Sequence, residues 1–242
     1  MSRLFVFGDS YSTPYVCVDP VYSFWGLCAK HLAVDEIINV SRPVNSFDSV
    51  CQLLVGIQNE YQYNWTEDWF IIGIPPLERI TIFDDHKDTA YKAKIISVET
   101  WKEVDTTIQA HRGLISQQFY GGDQFLTVHA DRSWTETQTL RQIYLLTQWL
   151  DTNRAKYLIC NLSKPLDRDN RWGPSEFVLN YTINHDRCIV FDDTYYSVNV
   201  GINLPPDADN PDGWNGHHGP AGNKHYFEKS LKHKLDNIVN NT

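Results

Sequence analysis

The stretch Trp69-Phe70-Ile71-Ile72-Gly73-Ile74 is an almost unbroken apolar run, and Pro75-Pro76 ends it. A short apolar run that stops at proline is typical of a strand covered on both faces, as in the middle of a parallel sheet. Helices must then pack on both sides of that sheet. The stretch therefore predicts an α/β fold.

Four further β-prone runs flank this stretch, at residues 3–7, 36–40, 157–160 and 188–191. Helical stretches at about residues 22–32, 46–61 and 135–150 separate the first four runs, and another at about residues 220–239 follows the last run. Strands alternating with helices indicate βαβ units and hence parallel strands. We expect a sheet of five parallel strands in a single domain that spans residues 1–242.

The helical stretches are predicted from apolar residues at helical spacing. After Ser46, a candidate N-cap, these are Val50, Leu53, Leu54, Ile57 and Tyr61. In the next helix the same face holds Leu140, Ile143, Leu146, Thr147 and Leu150. In the last helix it holds Phe227, Leu231, Leu235 and Ile238.

Residues 79–134 do not fit this alternation. They are polar, lack a clear period and contain a Gly121-Gly122 turn. We expect an insertion of short helices and loops. A further hypothesis is that this insertion is a lid or an interaction element.

Charge and cysteine content exclude several classes of protein. The chain carries 21 Lys and Arg against 30 Asp and Glu, a net charge of −9, so nucleic acid and anionic membranes are disfavoured as partners.

No apolar run approaches the ~20 residues of a membrane span, and Asp9 interrupts the N-terminus too early for a signal peptide. The 5 scattered cysteines suggest reduced thiols. We expect a cytoplasmic or virion-associated protein.

Ser10 follows the first predicted strand directly, in Phe7-Gly8-Asp9-Ser10. Active sites of parallel sheets lie beyond the carboxyl ends of the strands. A serine hydroxyl there is suited to nucleophilic attack, and the neighbouring amide to stabilising an oxyanion. The alternative is that Gly-Asp-Ser is only turn chemistry.

A second polar loop precedes the last helix and contains Asp212, Asn215 and the pair His217-His218. Both loops would lie at the same edge of the sheet, where a histidine could reach the serine and an acid could fix its tautomer. The alternative is an exposed, glycine-rich helix entry.

Together the two loops resemble the conserved blocks of the GDSL/SGNH hydrolase family. The first block is a strand followed by Gly-Asp-Ser, and the last is a histidine with a glycine five positions on, as in His217 and Gly222. The resemblance implies a flavodoxin-like three-layer α/β/α sandwich. It also implies hydrolysis of acyl esters of small molecules, lipids or carbohydrates.

Carried over by position, Ser10 would be the nucleophile and His217 the general base, with His218 as the alternative base. The family's acid lies three positions before its histidine, where this chain has Trp214. Asp212 is therefore the expected acid, and Asn215 the alternative group to orient the histidine.

The oxyanion donors depart further from the family pattern. The amide of Ser10 is expected to be one donor. In the family, a glycine after the second strand donates its backbone amide as well, and this chain has Val44 or Asn45 at that position. Pro75 stands where the family has an asparagine, and proline offers neither that side chain nor an N–H. Arg79, which follows, could supply the missing charge or form an ordinary surface pair.

The sequence thus leaves two functions open. One is a serine esterase that works through an acyl-enzyme without a cofactor. The other is a catalytically impaired binding or structural protein of the same fold, including a viral one. A metal site at His217, His218 and His225 is disfavoured, because their spacing fits no zinc motif. The acyl group, the alcohol and the oligomeric state stay open.

Overall fold

The computed structural model describes residues 1–12, 19–42, 45–77, 79–83, 90–109, 114–118, 132–168, 176–199 and 219–241. Within these ranges, only the backbone is described at Ser10, in β4, β7 and most of β6, in the first half of β5 and at residues 132–134. The strands are β1 Arg3–Phe7, β2 Glu36–Asn39, β3 Trp69–Ile74, β4 Arg79–Phe83, β5 Ala90–Ser97, β6 Glu103–Gln109, β7 Leu114–Gln118, β8 Lys156–Asn161 and β9 Cys188–Ile189.

The main sheet has the order β6-β5-β2-β1-β3-β8-β9. The pairings from β2 to β9 are all parallel. Beyond β2, however, β5 and β6 pair antiparallel. The prediction of an α/β fold is confirmed, whereas that of a purely parallel five-stranded sheet is wrong: the sheet is mixed and larger.

The extra strands come from the stretch expected to form short helices and loops. Its described residues form β4 to β7 instead, with β4 and β7 paired as a separate antiparallel sheet. Where β5 meets β2, Ile96 is buried, while Val104 on the outer strand β6 is 62% exposed. Because little of the outer strand is buried, the hairpin needs few apolar residues. Its sequence therefore lacks a strong hydrophobic period.

The helices are α1 Phe24–Leu32, α2 Phe47–Gly56, α3 Gln58–Tyr61, α4 Arg132–Thr152, α5 Glu176–Ile183, α6 Tyr195–Asn199, α7 Pro220–Tyr226 and α8 Lys232–Asn240. A π-helical turn, Phe227–Leu231, joins α7 to α8. Ser46 caps α2 as predicted, since its side chain accepts a hydrogen bond from the Ser49 amide. The predicted inward faces of α4 and of the last helix are buried.

Helices cover both faces of the sheet because side chains alternate along each strand. In β1, Phe5 and Phe7 belong to the core beneath α2, α4 and α5. Leu4 and Val6 belong to the opposite core, beneath α1, α7 and α8. In the described part of the chain, no helix has the length and apolarity to cross a bilayer.

Candidate functional site

Buried polar side chains collect where β1 and β2 end. Asp9, Ser12, Asn39, Ser41 and Asn45 are each at most 5% exposed. Because β1 and β2 are parallel neighbours, their carboxyl ends lie at the same edge of the sheet. Buried polar groups are paired in most cases, and here Asn39 and Asn45 pair with the loop that follows β1.

The chain after β1 makes a 3₁₀ turn over Ser10–Ser12. The Asp9 carboxylate accepts a hydrogen bond from the Tyr11 amide (3.1 Å), and the Asp9 carbonyl accepts one from the Ser12 amide (3.0 Å). We call residues Gly8–Ser12 the serine turn. The backbone of Ser10 lies in this turn as the sequence suggests, and its side chain is not among the described atoms.

Ser12, the second serine of the turn, is excluded as a nucleophile. Its Oγ is buried and has no hydrogen-bond partner among the described residues. It packs on two glycines: a Cβ atom at Gly8 would lie 2.5 Å from Ser12 Oγ, and one at Gly73 would lie 3.1 Å from it. A hydroxyl enclosed in this way cannot meet a substrate, which leaves Ser10 as the candidate in this turn.

Two asparagines hold the serine turn. Asn39 Nδ2 donates to the Ser12 carbonyl oxygen (2.8 Å), and Asn45 Nδ2 donates to the Gly8 carbonyl oxygen (2.9 Å). The sequence suggested Asn45 only as an alternative backbone donor, and Asn39 was missed. A polar residue at the end of the apolar run Ile37-Ile38 was the available signal.

The C-terminal candidates fall outside the described residues. These are Asp212, Asn215, His217 and His218, and the candidate oxyanion residue Val44 is outside them as well. Their roles stay predictions.

Two residues at the end of β3 and after it, Pro75 and Arg79, were singled out from the sequence as bearing on the oxyanion. Arg79 is described by its backbone, as the first residue of β4 and the register partner of Gln118. Pro75 is buried directly after β3.

A row of aromatic side chains connects the serine turn to α7. The ring of Tyr11 lies 5.4 Å from that of Tyr195, which lies 5.1 Å from the ring of Tyr226. The Tyr195 hydroxyl donates to Asn223 Oδ1 at 3.4 Å, and the Asn223 amide donates to the Gly219 carbonyl oxygen at 3.0 Å. One side chain therefore separates the serine turn from the first turns of α7.

The other potential nucleophile near the turn is held neutral. Burial raises the pKa of the Cys160 thiol to about 12; the neighbouring Tyr226 hydroxyl opposes this rise, and the Asp9 charge adds to it. Burial, followed by the Cys160 charge, also raises the pKa of Tyr226 far above its usual value. Neither side chain is ionised near pH 7, so neither competes with a serine there.

Within the ranges that the structure covers, no group of three His, Cys, Asp or Glu side chains is arranged to hold a metal ion. Of the three histidines considered for a metal in the sequence, only His225 is described.

Comparison with known proteins adds no relative. The chain matches no model of a protein family, and no curated protein is significantly similar to it. What the fold and the site define is an α/β protein with a buried polar network at the carboxyl edge of its sheet.

Proposed function

We propose that the protein is a serine esterase or acyl hydrolase with a flavodoxin-like α/β/α sandwich of the SGNH type. The parallel part of the sheet, β2-β1-β3-β8-β9, has the strand order of flavodoxin-like folds, in which ligands bind at the carboxyl ends. In this proposal the antiparallel β5 and β6 are additions at one edge.

The observation that carries the proposal is the aromatic row from Tyr11 through Tyr195 to α7. Gly219, the N-cap of α7, accepts from Asn223, whose side chain meets Tyr195. His217 is only two residues before Gly219. This packing of α7 near the serine turn supports the proposal that His217 acts on Ser10.

In the proposed reaction His217 removes the hydroxyl proton of Ser10, whose oxygen attacks the ester carbonyl. Asp212, or Asn215 in its place, orients the imidazole. Amides of Ser10 and Val44, with the Arg79 charge, stabilise the oxyanion. The protonated histidine gives its proton to the leaving alcohol, and water then hydrolyses the acyl-enzyme.

The substrate is an ester of a small molecule, lipid or carbohydrate. The described cysteines, Cys28, Cys51, Cys160 and Cys188, are free thiols. They are in keeping with a cytoplasmic or virion-associated location.

The alternative function is binding without turnover, and Pro75 favours it. The family places a side-chain donor at this position, whereas Pro75 is buried and has no N–H. Loss of one oxyanion donor costs ~10²–10³ in rate. A protein that lost it without compensation from Arg79 would bind an ester and leave it intact.

A serine-reactive fluorophosphonate probe separates the two functions. We expect labelling at Ser10, located by peptide mass spectrometry, and turnover of p-nitrophenyl acetate. Ser10→Ala should abolish both. Ser12→Ala is the matched control: it removes an enclosed hydroxyl without a described partner, so folding and labelling should persist. A folded wild-type protein that neither labels nor turns over ester contradicts the esterase proposal.

A further inference from the structure

We infer that Asn39 and Asn45 are positioning residues, which act on Ser10 through the backbone of the serine turn. The inference rests on the proposed function because it concerns the same serine. It adds a role for two buried side chains whose amide groups bind the backbone of the serine turn.

The two amide groups hold the turn at both ends. Asn45 Nδ2 binds the Gly8 carbonyl oxygen, where the chain leaves β1, and Asn39 Nδ2 binds the Ser12 carbonyl oxygen, where the turn closes. Ser10 lies midway between these two anchors. Both asparagines are buried, at 1% and 0% exposure for Asn39 and Asn45.

Each amide is itself oriented by a second hydrogen bond. Asn39 Oδ1 accepts from the Ser41 amide (2.9 Å), and Asn45 Oδ1 accepts from Ser49 Oγ (3.2 Å) in the first turn of α2. The carbonyl groups of the serine turn accept only, so each NH₂ must face the turn and each oxygen its donor. The orientation of both side chains is therefore fixed by their surroundings.

These bonds tie the serine turn to the loop that follows β2. The Arg42 amide also approaches the Gly8 carbonyl oxygen (3.4 Å), and this loop carries Val44, the second proposed oxyanion donor. A displacement of ~1 Å between reacting groups can cost about 10² in rate. The asparagines thus fix the relative position of the two loops on which attack and oxyanion stabilisation depend.

Asn161 is a matched control at the same edge of the sheet. It ends β8, is 1% exposed, donates to the Lys164 carbonyl oxygen (2.9 Å) and accepts from the Ser163 amide (2.9 Å). Its hydrogen bonds hold its own loop and the Val190 carbonyl (3.4 Å) rather than the serine turn.

The test compares Asn39→Asp, Asn45→Asp and Asn161→Asp, which keep the side-chain shape and remove the NH₂ donor. We measure fluorophosphonate labelling rates and p-nitrophenyl acetate kinetics per folded molecule, with urea unfolding to determine the folded fraction. Asn39→Asp and Asn45→Asp should each lower labelling and kcat by about 10- to 100-fold, with KM nearly unchanged. Asn161→Asp should lose stability and keep wild-type rates.

Hydrogen exchange of the Gly8–Ser12 amides provides a readout independent of activity. Exchange should be faster in Asn39→Asp and Asn45→Asp than in Asn161→Asp, including in a protein that proves to have no esterase activity. Alanine variants replace any aspartate variant that does not fold. Wild-type labelling rates in both serine-turn variants, or equal exchange in all three, overturn the inference.

Discussion

Gly8 shows how closely the serine turn is packed at the level of one residue. Its Cα faces Ser12, so that an added methyl group would lie 2.5 Å from Ser12 Oγ and 3.0 Å from Ser12 Cβ. Glycine at this position therefore serves close approach within the turn. This is a structural reason for the glycine of Gly8-Asp9-Ser10, independent of any catalytic role.

Gly8→Ala should consequently destabilise the protein by about 1–3 kcal/mol, the usual range for an overpacked core. Urea unfolding measures the change. Combining it with Ser12→Ala removes the nearest clashing atom and should restore part of the lost free energy. If the changes in unfolding free energy of the two single variants simply add in the double variant, the clash between residues 8 and 12 is not the cause of the loss.

A partly buried histidine, His185, lies in a polar cluster at the opposite edge of the sheet. His185 Nε2 lies 3.5 Å from Asp151 Oδ2 and 3.3 Å from the Tyr157 hydroxyl, and its Nδ1 accepts from the Arg187 amide (3.2 Å). Burial lowers the pKa of His185; Asp151 and Asp186 oppose this, and Arg187 adds to it. The ring of Tyr181 packs on the imidazole at 5.1 Å.

The folded state therefore favours neutral His185 more than the unfolded chain does. As pH falls below the ordinary histidine pKa of ~6.5, the unfolded chain takes up a proton first, and the free energy of unfolding decreases. His185→Gln should weaken this decrease, as measured by urea unfolding between pH 8 and 5. His233→Gln, on the exposed side of α8, should retain it; equal slopes in both variants would contradict the assignment.

The site was predictable from sequence only in part. Gly8-Asp9-Ser10 after a strand gave the position of the serine turn, because a strand and a tight turn are local features. The side-chain hydrogen bonds of Asn39 and Asn45 to the serine turn were not predicted, because their partners are 27 and 37 residues away. No spacing within a sequence encodes hydrogen bonds of that range.

Among the elements, the strands that pack on both faces and the helices with one apolar face were predicted well. β1, β3 and β8 have continuous apolar runs, since helices cover them on both sides. The hairpin of β5 and β6 was missed, as were β4 and β7. In β5 the apolar residues are interrupted by Lys92 and Lys94. The hydrophobic pattern from which a strand is predicted is therefore weak.

The N-cap of α2 allows a test at this scale. Ser46→Ala removes the acceptor of the Ser49 amide (3.2 Å) and should cost about 1 kcal/mol in unfolding free energy. Ser46→Thr keeps an acceptor and should lose less. Equal losses would mean that the hydroxyl contributes through its packing rather than as a cap.

The whole molecule brings its two ends together through the sheet order. β1 lies in the middle of the sheet, and the C-terminal helices pack in the core that contains Leu4 and Val6 of β1. The aromatic row from Tyr11 to Tyr226 continues this contact to the serine turn. We propose that this arrangement brings His217 within hydrogen-bond reach of Ser10.

The rate of fluorophosphonate labelling in His217→Ala tests that claim most directly, with His218→Ala as its matched neighbour. Loss of a general base should slow labelling at Ser10 by about 10²-fold or more, while His218→Ala stays near the wild-type rate. Slow labelling of His218→Ala alone would instead make His218 the base. Wild-type labelling rates in both variants, each of them folded, would contradict a site shared by the two ends of the chain.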